Sequence, residues 1–172
     1  MKKYLLFLSL PLYLLDQLTK LLVVHHFPHE TFRGEEIAVI PGFFNLVRVH
    51  NTGMAFGHFN NSQYANLAFG AVAISALVAI TLLWKRNAFP SIPARTAAAM
   101  LISGILGNLT DRLIPSRGYV VDFLDFYVGD YHWPSFNVAD SAICIAAGLL
   151  VISAFRSDHP ENPKEAESVE PE

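Results

Sequence analysis

Residues 138–155 read VADSAICIAAGLLVISAF, an apolar run whose one charge, Asp140, stands at its mouth. A helix of about 20 such residues crosses the roughly 30 Å of a bilayer's hydrocarbon core. A carboxylate at the centre of such a helix costs about 2.5–3.5 kcal/mol, and less towards the interface. Another acid, Asp122, lies in the short stretch just before the run. Two acids brought together at a membrane edge point to acid–base chemistry.

Working outward, residues 4–24, 65–84 and 96–114 are also apolar and long enough to cross. The expected fold is a mainly α membrane protein of four transmembrane helices. The 172 residues are 52% hydrophobic and mean hydropathy is +0.35, which excludes an ordinary soluble domain of this size. The net charge of −3 is dominated by the tail, residues 158–172, which is rich in Glu and Pro and reads as disordered. Residues 1–157 are then one membrane domain, with no nucleic-acid partner expected. Cys144, the single cysteine, allows no intramolecular disulfide and reads as a small buried hydrophobe. Met1-Lys2-Lys3 followed by leucines resembles a secretory signal. Its apolar run is too long, however, and His25-His26-Phe27-Pro28 offers no small-x-small cleavage site, so it reads as a retained span.

Lys2, Lys3, Lys85, Arg86, Arg95 and Arg156 flank one set of span ends, whereas the longer first and third connections hold only Arg33, Arg48 and Arg117. Positive flanks stay inside, so both termini are expected in the cytoplasm, with residues 25–64 and 115–136 outside. In the outer segment of residues 29–62, two short strands (36–40 and 43–49) flank a turn at Pro41-Gly42, and Gly53 and Gly57 suggest a bend. The outer loop of residues 115–136 holds Val120-Val121, a turn at Gly129-Asp130 and several aromatics suited to the headgroup region. A small extracytoplasmic β-sheet cradle on the membrane is the expectation.

With that topology, the polar residues of three spans fall at one depth, near the outer interface. Asp16 and Lys20 are one turn apart on the first span. Asn108, Asp111 and Arg112 lie in the last two turns of the third, and Asn137 and Asp140 open the fourth. Each has a plain structural reading beside the functional one. Asp16–Lys20 is a charge clamp, Arg112 snorkels to headgroups, and Asn108 and Asn137 join helices whose approach Gly104 and Gly107 permit. His25, His26 and His29 have no intramembrane histidine to complete a metal site, so no metal or cofactor is expected. If the outer loop folds back to bring Asp122 to Asp140, both cannot ionise in a low-dielectric cleft. The pair then shares a proton and supplies one acid and one base, enough to activate water against an amide. A proton relay through Asp16, Asp111 and Asp140 is the rival. It is disfavoured because a relay distributes its acids through the membrane thickness, whereas these gather on one side. A non-catalytic assembly subunit leaves Asp122 unexplained.

Asp16-Gln17-Leu-Thr-Lys20, Asn51-Thr52-Gly53-Met54-Ala55-Phe56, Gly107-Asn108-Leu-Thr-Asp111-Arg112, Val121-Asp122-Phe123 and Phe136-Asn137-Val138-Ala139-Asp140-Ser141 stand in this order. Together they resemble the motifs of the lipoprotein signal peptidases (signal peptidase II), bacterial membrane aspartyl peptidases. Met54, where a small residue is common, and the long acidic tail are the departures. The resemblance implies that Asp122 and Asp140 are catalytic. It implies that Asn51, Asn108, Arg112 and Asn137 line the site, with Asp16, Lys20 and Asp111 in support. It further implies a monomeric enzyme of the bacterial inner membrane, with its site at the outer face. The substrate would be a prolipoprotein, cut before a diacylglyceryl-modified cysteine. A loop around Gly57 or Tyr119 is placed to close over it.

Overall fold

A computed structural model of the chain describes residues 1–31, 34–53, 63–114 and 117–157. The bend expected at Gly57, the motif residues Met54-Ala55-Phe56, Arg33 and the acidic tail lie outside the described residues. Four helices are long and apolar enough to cross a membrane: α1 (Lys2–His26), α2 (Gln63–Lys85), α3 (Ile92–Leu113) and α4 (Val138–Ser157). α1 opens through a π-helical stretch, Leu5–Ser9, just ahead of Pro11. A proline removes one N–H and crowds the carbonyl four residues back, here that of Phe7, and the wider turn relieves both. α3 starts four residues earlier than its apolar run suggests. Ser91 caps it, its Oγ accepting the Ala94 N–H at 3.2 Å, and Pro93 sits in the first turn, where a missing N–H is harmless.

The side chains are sorted as lipid demands. Large apolar residues point outward (Phe7 and Phe155 are 74% exposed), while the helix interior is built from Ala97, Ala98, Ala99, Ser103, Gly104, Gly107 and Ala146. In lipid there is no hydrophobic drive between helices, so small residues that let backbones meet take over. A Cβ on Gly104 would lie 2.5 Å from the Ala139 carbonyl oxygen, and one on Gly107 2.5 Å from Asp16 Oδ2. Cys144 departs from expectation. It lies on the outward face of α4 beside exposed Ile145, because the buried stripe of that helix runs through Ala139, Ala142 and Ala146. α2 packs chiefly against α3 and touches the start of α1 through Trp84 and Tyr4, whose ring centroids are 5.7 Å apart.

Outside the spans, β1 (Ile37–Ile40), β2 (Phe44–Asn51), β3 (Val120–Val128) and β4 (Tyr131–His132) form an antiparallel sheet in the order β1-β2-β3-β4. The turns at Gly42 (φ +80) and Gly129 (φ +60) fall where Gly supplies the left-handed backbone. The stretch around Val120-Val121 runs on as a nine-residue strand, which pairs Asp122 with Val49 and Val120 with Asn51. Val121 and Phe123 pack under the sheet against Val23 and Phe27, seating the strand on the end of α1.

Candidate active site

Lys20 is the floor of the site. Its side chain is fully buried, and its three ammonium protons find three oxygens: Asp16 Oδ2 at 2.9 Å, Asp111 Oδ2 at 3.0 Å and Asn108 Oδ1 at 3.0 Å. An ammonium has three donors and no acceptor, so its hydrogen bonding is complete. Asp16 Oδ1 also accepts the Ala139 N–H at 2.9 Å, satisfying a first-turn donor of α4. Asp111 accepts from Arg117 Nη1 at 3.2 Å and from the Val121 N–H at 3.3 Å. Gln17 Nε2 joins Asp16 to the Gly107 carbonyl. One cluster of charge thus ties α1, α3, α4 and β3 together. The clamp reading of Asp16–Lys20 holds, and Asp111 belongs to the same clamp. These two acids are spent on a cation, which removes the relay built on them.

Above this floor, Asp122 and Asp140 belong to one hydrogen-bonded network in which every listening side chain is an asparagine with a fixed orientation. Asn108 must turn its oxygen to Lys20, so its Nδ2 donates to Asp140 Oδ1 at 2.7 Å. Asn137 caps α4. Its Oδ1 accepts the Asp140 N–H at 3.0 Å and Asp140 Oδ2 accepts the Asn137 N–H at 3.2 Å, a reciprocal capping box. That cap leaves Asn137 Nδ2 pointing at Asp122 Oδ1, 2.7 Å away. Asn51 accepts the Gly53 N–H through Oδ1 at 2.8 Å, so its Nδ2 donates to Asp122 Oδ2, also at 2.8 Å. In each case a neighbouring N–H or ammonium decides which end of the amide is an acceptor. The remaining end donates to one of the two acids.

Among the described residues neither Asp122 nor Asp140 has an ion-pair partner. Asp122 is 2% exposed, and burial pushes its carboxyl up to about 7. The Asn51 hydrogen bond opposes that shift, Asp140's charge adds to it, and Asn137 and the more distant Lys20 oppose it more weakly. Asp140, at the start of a helix, is half-buried and reachable. An acid holding its proton near neutrality beside an accessible carboxylate can perform general acid–base chemistry. Among the described residues, no three His, Cys, Asp or Glu side chains converge to hold a metal ion.

Arg112 lies at the edge. Nη1 donates to Asn66 Oδ1 at 3.1 Å, the guanidinium rests over the Phe69 ring at 4.6 Å, and its charge couples most strongly to Asp122. Asn66 Nδ2 in turn donates to the Gly118 carbonyl at 2.5 Å, pinning α2 to the lead-in of β3. Tyr119 stacks on His50 with ring centroids 3.7 Å apart and accepts from Arg48 Nη2. Sequence reasoning brought seven polar residues to this place and missed Arg117 and Asn66. Arg117 looked like a loop charge, and Asn66 gave only the faint signal of an amide opening an otherwise apolar span.

A family model described as Signal peptidase (SPase) II matches residues 8–156. The chain belongs to the signal peptidase II family. Family membership makes it a peptidase that processes prolipoprotein signal peptides, carrying four helices able to span the membrane. A lipoprotein signal peptidase of Paraburkholderia phymatum is 44% identical over 144 residues, covering 83% of this chain and 82% of its own. One from Photorhabdus laumondii is 44% identical over 147 residues, covering 84% and 83%. A bacterial membrane enzyme solved by the in meso method at 2.3 Å superposes with a TM-score of 0.76 at 28% identity over 92% of each chain. The match to signal peptidase II spans all five sequence blocks, and the fold likeness to that enzyme covers nearly the whole chain.

Proposed function

We propose that this chain is an aspartic endopeptidase that removes the signal peptide from prolipoproteins, cutting before the diacylglyceryl-modified cysteine, with Asp122 and Asp140 as its catalytic pair. The observation that carries this reading is the bridge at Asn137, which donates to Asp122 through its side chain and to Asp140 through its backbone. The proton resides on Asp122, whose carboxyl is raised to about 7, and Asp140 is the base. Asp140 takes a proton from water as the water oxygen bonds to the scissile carbonyl carbon. Asp122 hydrogen-bonds the carbonyl oxygen. As the C–N bond breaks, a proton from the dyad goes to the leaving nitrogen, and the dyad ends with the single proton it began with. Arg112 and the three asparagines line the site and hold the substrate backbone, while Asp16, Lys20 and Asp111 support them. No metal or cofactor takes part.

Residues 1–157 act as one unit, as a monomer in the bacterial inner membrane, with both termini cytoplasmic and the dyad at the outer face. The Lys and Arg at the inner span ends favour that orientation. A lipid-bearing substrate suits such a place: its acyl chains stay in the outer leaflet while the peptide bond reaches the acids. The test is cleavage of a diacylated precursor by purified enzyme in detergent, with Asp122→Asn and Asp140→Asn alongside. Loss in both, with the fold retained, is expected. Cleavage that survives either substitution but stops with a chelator would overturn the dyad. Residue-by-residue labelling from outside the cell checks the orientation, and labelled positions in 86–92 would reverse it.

A further inference from the structure

Three residues beyond Asp122 on β3, and therefore on the opposite face of the sheet, Asp125 stands in the wall of a cavity of about 750 Å³. That volume suits a ligand group rather than a single water. Asp125 is 6% exposed and is held by Asn45 Nδ2 at 3.2 Å and by His132 Nδ1 at 2.8 Å. Glu36, Asp130, Thr31 and Tyr127 complete the polar wall. Asn45, directly opposite Asp125 in the sheet, is 5% exposed, lines the same cavity and has an Oδ1 that meets no donor among the described residues. Turning the amide over would only aim that oxygen at the Asp125 carboxylate. A buried acceptor without a donor is disfavoured, so the cavity is short of N–H groups and rich in negative charge.

We propose that this back-face cavity is a second subsite that takes a basic side chain, an arginine above all, from the polypeptide downstream of the cut. The proposal rests on the peptidase reading, under which that downstream segment lies on the same side of the membrane as the sheet. A guanidinium carries five donors in a planar fork. It satisfies Asn45 Oδ1 and the remaining lone pairs of Asp125 together, while Glu36 and Asp130 add charge at the rim. A metal ion fits less well, because no three ligating side chains converge there among the described residues.

The test uses the full chain in detergent and two fluorescent peptides, Ser-Gly-Arg-Ser-Gly and its citrulline counterpart, which keeps the shape and loses the charge. Saturable binding of the arginine peptide is expected, at least tenfold weaker with citrulline and at least tenfold weaker in Asp125→Asn. The Glu36→Gln/Asp130→Asn double variant, which alters only the rim, should weaken binding several-fold and decides the matter if Asp125→Asn fails to fold. With a diacylated precursor bearing arginine after the cut, Asp125→Asn should raise KM and spare kcat, and with glutamine there it should change neither. Equal binding of the two peptides, or binding indifferent to both variants, overturns the subsite. Peptide binding is also measured on Asp122→Asn, where it should be unchanged. Failure of the dyad reading, seen as retained cleavage in that variant, is therefore scored separately from failure of the subsite.

Discussion

Two pairs of acids share one polar network in this protein and have opposite surroundings. Asp16 and Asp111 close on a buried ammonium, with every proton of Lys20 assigned. Asp122 and Asp140 receive only neutral donors, from Asn51, Asn108, Asn137 and the backbone. A carboxylate closed on a buried ammonium is committed to holding the helices together. Amides position a carboxyl while leaving it free to gain or lose a proton. The difference in partner separates framework from chemistry more sharply than burial does, since Asp16, Asp111 and Asp122 are all 2% exposed or less.

The sharpest way to break this contrast is to neutralise one acid of each pair. Asp122→Asn or Asp140→Asn should lower kcat by up to about 10⁴-fold, the upper range for a lost acid–base group, with the melting temperature little changed. Comparable loss of stability in these two variants would erase the distinction. On the framework side, Lys20→Met leaves buried Asp16 without a cation and Asp111 with Arg117 alone. It should destabilise the fold by about 3–5 kcal/mol, read from thermal unfolding in detergent. Gly107→Ala pushes a methyl group towards Asp16 Oδ2 and Ala139 and should cost about 1–3 kcal/mol. An unperturbed melting temperature there would mean the clamp is looser than its distances.

The smallest effects are in the pH profile. Under the proposed mechanism the dyad works with one proton, so kcat/KM should fall as pH rises through about 7 and Asp122 ionises. Asn51→Val removes a donor that favours the ionised form, and should move that alkaline limb upward. Linkage has a definite sign here. The folded Asp122 binds its proton more tightly than the unfolded chain does, so this residue's contribution to stability is present below about pH 4 and is lost as pH rises through about 7. A limb indifferent to Asn51 would detach that residue from the dyad.

Much of this was legible in the chain. The four spans follow from apolar length, and the convergence of Asp16, Lys20, Asn108, Asp111, Asn137 and Asp140 follows from helical rise and charge bias alone. β3 was harder to see. Its residues Val120 to Val128 show no clean alternation, because this strand is covered on both faces for much of its length, by the dyad on one side and the Val23–Phe27 cluster on the other. Its partner β2 is separated from it by two spans, a pairing that no local signal carries. Arg117 reaches Asp111 only because the chain doubles back after α3. Cys144 was misplaced for a simpler reason: in lipid, a small apolar residue is as much at home facing outward as inward.

The fully enclosed Lys20 also constrains how the molecule is made. α1 can enter the bilayer as a self-neutralised unit, since Asp16 sits one turn from the lysine. α3 carries Asp111, which finds one cation in Arg117 just past the helix end and keeps its second oxygen for Lys20 of the earlier segment. The first segment is thus expected to receive the third during assembly. A chain carrying Lys20→Met should stall with α3 incompletely inserted, which glycosylation mapping of nascent chains would reveal.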